Sequence, residues 1–236
     1  MLKGFVKPVG EYGESERAAM YSLMEKFYDN TDEAVFMRDF ADKDYCLSLY
    51  TEDGSLAGFT TQKIMTVNAG GREVHGMFSG DTIIHKDYWG DIELFKVWAR
   101  FWFKYAESFD EFYWFLICKG YKTYRILPLF WTEFYPCCKN GGEIPKYEKS
   151  IIDAYASALY PDEYDSESGV IKYSSVKDSL KAGVADVGDH ELKNRDIEFF
   201  CRANPDYKTG NDLACLARID KSLLKKRVTA LLFNER

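Results

Sequence analysis

The strongest constraint on the fold is a helix pattern that is apolar on nearly every side. Residues 91–107 read DIELFKVWARFWFKYAE, and their polar side chains recur at steps of three and four along a single stripe: Glu93, Lys96, Arg100, Lys104 and Glu107. A helix with one narrow polar stripe is buried by its neighbours over most of its surface. We therefore expect a sheet against this helix and further elements around it.

The segments before this helix have the alternation and the turns of strands. Residues 44–50, 56–67 and 72–85 are separated by the turn sequences TEDGS and NAGG, which predicts an antiparallel meander. The third of these strands contains Gly76 and Gly80. Glycine inside a strand indicates a bulge or the close approach of another backbone.

The remaining elements are predicted from the same periodicities. Before the meander we expect a strand at 4–9 and two helices, with Ser15 and Thr31 as their N-caps. After the long helix we expect a buried strand at 111–118, reached by a crossover connection. The later predicted elements are a helix at 123–136 despite Pro128, a helix at 143–160, strands at 169–174 and 212–219, and a final helix at 221–232.

Composition and charge exclude several classes of function. The 236 residues carry 38 acidic and 31 basic side chains, a formal net charge of −7, so we expect no binding to nucleic acid or to an anionic membrane. No apolar run reaches the roughly 18 residues that span a bilayer, and the N-terminus lacks the apolar core of a signal peptide. We expect a cytoplasmic protein with six reduced cysteines. With three histidines and neither a CxxC pair nor an HExxH motif, we expect no metal.

The polar stretch DYWGD, residues 87–91, joins the third strand of the meander to the long helix. The backbone N–H groups at a helix start have no intrahelical partner and carry partial positive charge. Such a turn can hold a pyrophosphate, and Gly90 allows the backbone to approach it closely. The alternative is that Gly90 only permits the turn and that Asp91 caps a buried helix.

The element order and this junction resemble those of the GNAT superfamily of acyl-CoA N-acyltransferases over roughly residues 3–136. The resemblance implies an α/β (α+β) fold, with a mixed, mostly antiparallel sheet flanked by helices. It also implies a core at 1–140, followed by a C-terminal extension at 141–236 that completes the sheet and covers the acceptor side.

In this family the loop holds the pyrophosphate of CoA, and the strand before it contacts the thioester or pantetheine. By resemblance, the cofactor-binding residues are Ile84, Tyr88, Trp89, Gly90, Asp91 and Ile92. The loop departs from the family pattern, because Asp87 stands where Gln or Arg is expected and Ile92 where a small residue is expected. Two carboxylates beside a pyrophosphate weaken its binding unless they turn away or pair with Lys86.

Four residues are candidates for the chemistry of acyl transfer to an amine. Asp81 and His85 lie four apart on the strand before the loop, on one face, and either is a candidate base. Tyr124 and Tyr135 lie in the region where family members place the acid for the departing thiolate. The structural alternatives are a turn-capping Asp81, a strand-end His85 bonded to backbone, and tyrosines used for packing.

The resemblance predicts an N-acyltransferase that moves an acyl group, expected to be acetyl, from acetyl-CoA or another acyl-CoA to an amine on a small molecule or peptide. One alternative is a non-catalytic binding protein with the same fold. Another is an acyltransferase that uses acyl carrier protein, which predicts a basic patch near the loop where only Lys86 and Lys96 are available. A homodimer is expected by analogy alone.

Overall fold

The computed structural model describes residues 2–175 and 177–233. In this part of the chain the strands are β1 Lys3–Pro8, β2 Tyr28–Asp29, β3 Tyr45–Tyr50, β4 Leu56–Ala69, β5 Arg72–Ile84, β6 Phe112–Cys118, β7 Tyr164–Asp165, β8 Val170–Ile171, β9 Ser179–Leu180 and β10 Asp212–Arg218. The α-helices are α1 Glu14–Met24, α2 Glu33–Ala41, α3 Glu93–Ala106, α4 Tyr121–Tyr124, α5 Ile126–Phe130, α6 Lys146–Leu159, α7 Arg195–Ala203 and α8 Lys226–Phe233.

Eight of the described strands form one sheet, in the order β1-β3-β4-β5-β6-β10-β8-β7. Neighbouring strands are antiparallel except for β5 and β6, which are parallel and are joined through α3. Strands β2 and β9 pair separately. The predicted fold class, a mixed and mostly antiparallel sheet flanked by helices, is confirmed.

Helices cover both faces of this sheet because its strands carry apolar side chains on both faces. On one face α3 buries Trp98 and Trp102 against residues such as Leu47 and Trp114. On the other face α6 packs over β5, β6 and β10, and α1 and α2 pack beside it over β3 and β4. The predicted burial of α3 on most of its surface agrees with this arrangement.

The prediction of one helix at 123–136 is wrong. The chain forms two short helices, α4 and α5, and is extended from Trp131. Tyr135 then exchanges two backbone hydrogen bonds of 2.8 Å with Leu216 of β10. The reason is tertiary: pairing with a strand much later in the sequence replaces the hydrogen bonds that a helix would have made.

Both predicted N-caps are one or two residues away from the actual ones. Gly13 caps α1, and its amide donates to Glu16 Oε2 at 2.9 Å, so Ser15 lies inside the helix. Asp32 caps α2 by accepting from the Val35 amide at 2.8 Å, in place of Thr31. A carboxylate satisfies the free amide and also suits the positive end of the helix.

The C-terminal region supplies strands to the same sheet. β10 pairs with β6 along one side and with β8 along the other, whereas the predicted strand at 169–174 contributes only β8, a short strand near the sheet edge. The division of the chain at residue 140 stays a prediction. Over residues 2–175 and 177–233, no helix has the length and apolar character needed to cross a membrane.

Candidate functional site

A cleft opens in the sheet where β5 and β6 separate. The two parallel strands pair from His75 and Phe112 to Ser79 and Leu116, after which β5 continues on β4 alone as far as Ile84. The space between them is a cleft of about 340 Å³. Such a gap leaves one edge of β5 free to pair with an extended ligand.

The walls of this cleft come from both faces of the sheet and differ in character. One wall is apolar and comes from α3, β6 and α5: Leu94, Phe95, Trp98, Trp114 and Ile126. The other wall is polar and includes Tyr28, Asp39, Lys43, Asp81, Lys119, Tyr160, Tyr173, Lys177, Asp178 and Asp212. The cleft therefore joins an apolar chamber to a charged one through the gap in the sheet.

A β-bulge lies at the point where the strands separate. Two residues of β5, Gly80 and Asp81, stand opposite one residue of β4, Thr61. A Cβ atom at Gly80 would lie 2.6 Å from Thr61 Oγ1 and 3.0 Å from Lys43 Cε, so this position has no room for a side chain. The buried Thr61 hydroxyl has no hydrogen-bond partner among the described residues, which costs about 1–3 kcal/mol. The bulge predicted from Gly80 is present, and Asp81 lines the cleft beside it.

The Asp81 carboxylate is held in a deep but accessible position. It takes part in no hydrogen bond or ion pair within the described part of the chain. Burial raises the pKa of Asp81 to about 6, and the positive charge of Lys43 limits this increase. A carboxylate with a pKa near 6 is ionised at neutral pH and is still basic enough to accept a proton in a reaction.

A second charged group, buried and fully paired, lies at the far end of the polar wall. Lys119 Nζ is 3.3 Å from Asp212 Oδ2 and 3.5 Å from Asp178 Oδ2, and it donates to the Gly210 carbonyl at 2.9 Å. The Tyr173 hydroxyl donates to Asp212 at 3.0 Å. Burial lowers the pKa of Lys119, but the two aspartates outweigh it and raise the pKa overall. We refer to Lys119, Asp178, Asp212 and Tyr173 as the Lys119 cluster.

His85, the other predicted base, lies just beyond the end of β5. Its ring contacts Phe27 and Tyr88, with centroid distances of 6.4 Å and 6.2 Å. Its Nδ1 accepts from the Asp87 amide at 3.4 Å. His85 is outside the set of described residues that line the cleft, so the structure does not bring it together with Asp81 there.

The two predicted acids, Tyr124 and Tyr135, also lie away from the lining of the cleft. Tyr124 is 0% exposed, and its hydroxyl donates to the Pro136 carbonyl at 3.0 Å. The Tyr135 hydroxyl donates to Glu133 at 3.2 Å, and burial raises the pKa of Tyr135 to about 12. Their catalytic roles stay predictions, and their surroundings are those of packing residues.

The predicted pyrophosphate loop is folded largely upon itself. The amides of Tyr88, Trp89 and Asp91 donate to carbonyls within the loop, at 2.9, 3.2 and 3.0 Å. The Asp91 carboxylate accepts from the Glu93 amide at 2.7 Å. Gly90 has a φ of +96°, which favours glycine. The loop therefore has the helix-capping features of the alternative interpretation, and the Asp91 carboxylate already occupies the Glu93 amide.

Two aromatic contacts fix the outer side of the loop. The Trp89 indole N–H donates to the Ile84 carbonyl at 2.9 Å, and its ring contacts that of Phe27. Lys122 Nζ lies 3.8 Å from the centroid of the Trp89 ring. The residues predicted to bind the cofactor therefore lie next to each other, at the C-terminal end of β5 and in the loop that follows it.

Sequence reasoning missed most of the polar wall, including Lys43 and the Lys119 cluster. A usable signal was present, because Asp212 opens the otherwise apolar stretch DLACLA and Lys119 follows the apolar stretch FYWFLIC. A charge at the end of a buried strand needs a partner. No group of three or more potential metal ligands is found within residues 2–175 and 177–233.

Comparison with known proteins gives likenesses of fold only. No family model matches the chain, and no curated protein matches it. Among solved structures, a conserved protein of Enterococcus faecalis described as a probable N-acyltransferase is 16% identical with a TM-score of 0.42, over 56% of this chain and 33% of that one. Arabidopsis thaliana NAA60, in complex with a bisubstrate analogue, is 12% identical with a TM-score of 0.40, over 56% and 88%.

The GNAT family N-acetyltransferase YhbS of Escherichia coli, in complex with CoA, is 10% identical with a TM-score of 0.36, over 50% of this chain and 64% of that one. The match with the Enterococcus protein spans about a third of that protein's length. What the cleft does is therefore argued from its own residues.

Proposed function

We propose that the protein is an N-acyltransferase that moves an acyl group from an acyl-CoA thioester to an amine. The observation that carries this proposal is the cleft itself. It passes between two diverging parallel strands, and an unpaired carboxylate, Asp81, lines it beside the point where they separate. An apolar chamber on one side and a charged chamber on the other suit a reaction between two unlike substrates.

Asp81 is the base in this proposal. An alkyl amine with a pKa of about 10 is less than ~0.1% neutral at pH 7, and it must lose a proton to attack a thioester. The Asp81 carboxylate, with its pKa of about 6, accepts that proton directly or through one water. The neutral amine then attacks the carbonyl carbon, and the tetrahedral intermediate collapses with cleavage of the C–S bond. The second proton lost by the nitrogen passes to the sulfur, so that CoA leaves as a thiol, and Asp81 returns its proton to solvent.

The free edge of β5 would hold the thioester arm. Beyond Ser79 this edge no longer pairs with β6, so its amides and carbonyls are available to the amide groups of pantetheine. The arm would run from the loop at Trp89 and Gly90 toward the bulge. The acyl group would then reach the apolar chamber formed by Trp98 and Trp114, where acetyl or a somewhat longer acyl chain is expected.

The charged chamber would hold the acceptor. Its residues come from three parts of the chain: residues 28–43, Asp81 on β5, and residues 119–212, so that part of the C-terminal region lines this side. Burial raises the pKa of Tyr28, Tyr160 and Tyr173 well above the usual range, so they remain neutral hydroxyls. Carboxylates and hydroxyls together suit a protonated amine with polar substituents.

Binding of the donor is the first test. Calorimetry with CoA, acetyl-CoA and a medium-chain acyl-CoA is expected to give dissociation constants from about 1 μM to 1 mM. Ile92→Glu is expected to weaken binding about 10-fold, because it adds a negative charge at the start of α3. Leu192→Glu makes a similar change at an exposed leucine and is expected to bind as the wild type does.

The self-capped loop supports one alternative, a non-catalytic binding protein with this fold. The capping of Glu93 by Asp91 favours it, as do the acidic side chains around the loop. Absence of binding by all three CoA compounds would overturn the acyl-CoA proposal and favour this alternative. Binding that is equally strong in the wild type and in Ile92→Glu would place the pyrophosphate elsewhere.

The pH dependence of turnover tests Asp81 as the base. With an amine panel and detection of released thiol, kcat/KM is expected to rise with pH through about 6, because the carboxylate must be ionised. Lys43→Met is expected to move this limb to higher pH, since Lys43 lowers the pKa of Asp81. Lys63→Met, which removes a surface pair with Asp42, is the control. A limb that stays in place in Lys43→Met would contradict the assignment.

A further inference from the structure

A chain of five hydrogen-bonded side chains runs beside the cleft, on the α3 face of the sheet. The Trp114 indole N–H is 2.8 Å from Ser79 Oγ, and Ser79 Oγ is 2.9 Å from Gln62 Oε1. Gln62 Nε2 is 2.9 Å from Thr60 Oγ1, and Thr60 Oγ1 is 2.7 Å from Thr82 Oγ1. Gln62 is 0% exposed. Four members of the chain line the cleft, namely Trp114, Ser79, Thr60 and Thr82.

The orientation of the Gln62 amide sets the direction of the bonds in this chain. An indole N–H can only donate, so Ser79 Oγ accepts from Trp114. Its own proton goes to Gln62 Oε1 at 2.9 Å rather than to the Met77 sulfur at 3.9 Å. The Gln62 amide group must then donate through Nε2 to Thr60. Either threonine could donate in the last bond. Thr60 is buried and has no other acceptor within the described part of the chain, whereas Thr82 is half-buried and open to the cleft, so we assign the proton of this bond to Thr60.

The last member of the chain, Thr82, is left with a free proton. Its oxygen accepts from Thr60, and no acceptor for its own O–H group is found among residues 2–175 and 177–233. Thr82 lies directly after the bulge and is half-buried in the wall of the cleft. A hydroxyl that already accepts one hydrogen bond is polarised by it and is a stronger donor than an isolated one.

We infer that the Thr82 hydroxyl is a pre-set hydrogen-bond donor to a carbonyl oxygen of the acyl-thioester substrate. This inference rests on the proposed function. Two carbonyls of such a substrate would pass this point: that of the thioester and that of the nearest pantetheine amide. Ser79, Gln62 and Thr60 act through Thr82 as positioning residues, because they hold its oxygen as an acceptor and leave its proton for the cleft.

Thr82→Val tests the inference, because valine replaces the hydroxyl with a methyl group of similar size. Thr82→Ser keeps the hydroxyl and is expected to restore the wild-type behaviour. Thr66→Val makes the same chemical change on β4 at an exposed site, where Thr66 pairs with His75, and is the control. Each variant is measured for turnover of acetyl-CoA and for binding of acetyl-CoA and S-ethyl-CoA, a thioether without the thioester carbonyl.

Two results support the inference and separate the two carbonyls. A fall in kcat of about 100-fold in Thr82→Val, with binding of S-ethyl-CoA unchanged, assigns the bond to the thioester carbonyl. A fall of about 3- to 10-fold in affinity for both ligands, with kcat unchanged, assigns it to the pantetheine amide. In either case Thr82→Ser behaves as the wild type does.

Other results overturn the inference. Wild-type turnover and binding in Thr82→Val would show that the hydroxyl makes no contact with the substrate. A Thr82→Ser variant as impaired as Thr82→Val would show that the packing of the threonine, and not its hydroxyl, is what matters. Failure of the wild-type protein to bind either ligand is a different result, because it removes the proposed function and the inference with it.

Discussion

Asp81→Asn is expected to lower turnover of acyl-CoA with an amine acceptor by about 10²–10⁴-fold, the usual contribution of a positioned general base. Asparagine has nearly the same shape as aspartate but cannot take the proton from the attacking amine. Affinity for acyl-CoA is expected to stay within about 3-fold of the wild type, because the base contacts the acceptor and not the arm of the donor.

The same substitution is expected to stabilise the fold at neutral pH. The pKa of Asp81 is raised from 3.8 to about 6 by burial, so the folded state holds its proton more tightly than the unfolded state does. The free energy of unfolding therefore falls as the pH rises from about 4 to about 6, and the full destabilisation by Asp81 is present above that range. The difference corresponds to at most about 3 kcal/mol, and water in the cleft reduces it.

Urea unfolding at pH 7.5 and at pH 4 measures this gain. Asp81→Asn is expected to be more stable than the wild type by about 1–2 kcal/mol at pH 7.5 and to lose most of the advantage at pH 4, where both side chains are neutral. Asp39→Asn, at the exposed mouth of the same cleft, is expected to differ by less than about 0.5 kcal/mol. A variant that is inactive and also less stable at pH 7.5 would indicate a structural role for Asp81.

The elements whose structure is set by residues close together in the sequence were predictable. The meander follows from its turn sequences, and α3 follows from one stripe of polar residues. The glycines of β5 were correctly interpreted, because a Cβ atom at Gly76 would lie 2.4 Å from the Tyr113 carbonyl. The segment after Phe130 was not predictable, because its backbone partner, Leu216, lies in a strand that no local pattern connects to it.

The site was predictable only where one stretch of sequence carries it. Asp81 was predicted because it lies on the strand before the loop, four residues from His85, and the structure places it in the cleft; its role as the base stays a prediction. The partners of Lys119 were not found, because only the register of β6 with β10, which sets Leu213 opposite Cys118, brings Lys119 to Asp212. The direction in which the Thr82 hydroxyl donates could not be predicted from the sequence either. It depends on Trp114 and Thr60, which lie on different strands and are brought together only in the folded sheet.

Lys119→Met is expected to destabilise the fold by about 3–5 kcal/mol, the usual cost of removing one partner from a buried ion pair. Asp212 is 1% exposed. Without Lys119, the bond from Tyr173 is the one that its carboxylate keeps among residues 2–175 and 177–233. The Gly210 carbonyl also loses its donor. Lys104→Met removes a fully exposed pair with Glu107, and its stability is expected to match that of the wild type.

The dependence of this loss on pH separates an unpaired charge from a packing defect. Burial already raises the pKa of Asp212 and Lys119 counteracts the increase, so removal of Lys119 raises the pKa of Asp212 further. The folded state of Lys119→Met then gains stability by taking up a proton, and the loss measured by urea unfolding is expected to shrink as the pH falls from 7.5 to 5. The double variant Lys119→Met/Asp212→Asn is expected to recover part of the loss at pH 7.5. A loss that is equal at both pH values and unchanged in the double variant would mean that lysine packing, and not the charge of Asp212, holds this end of the cleft together.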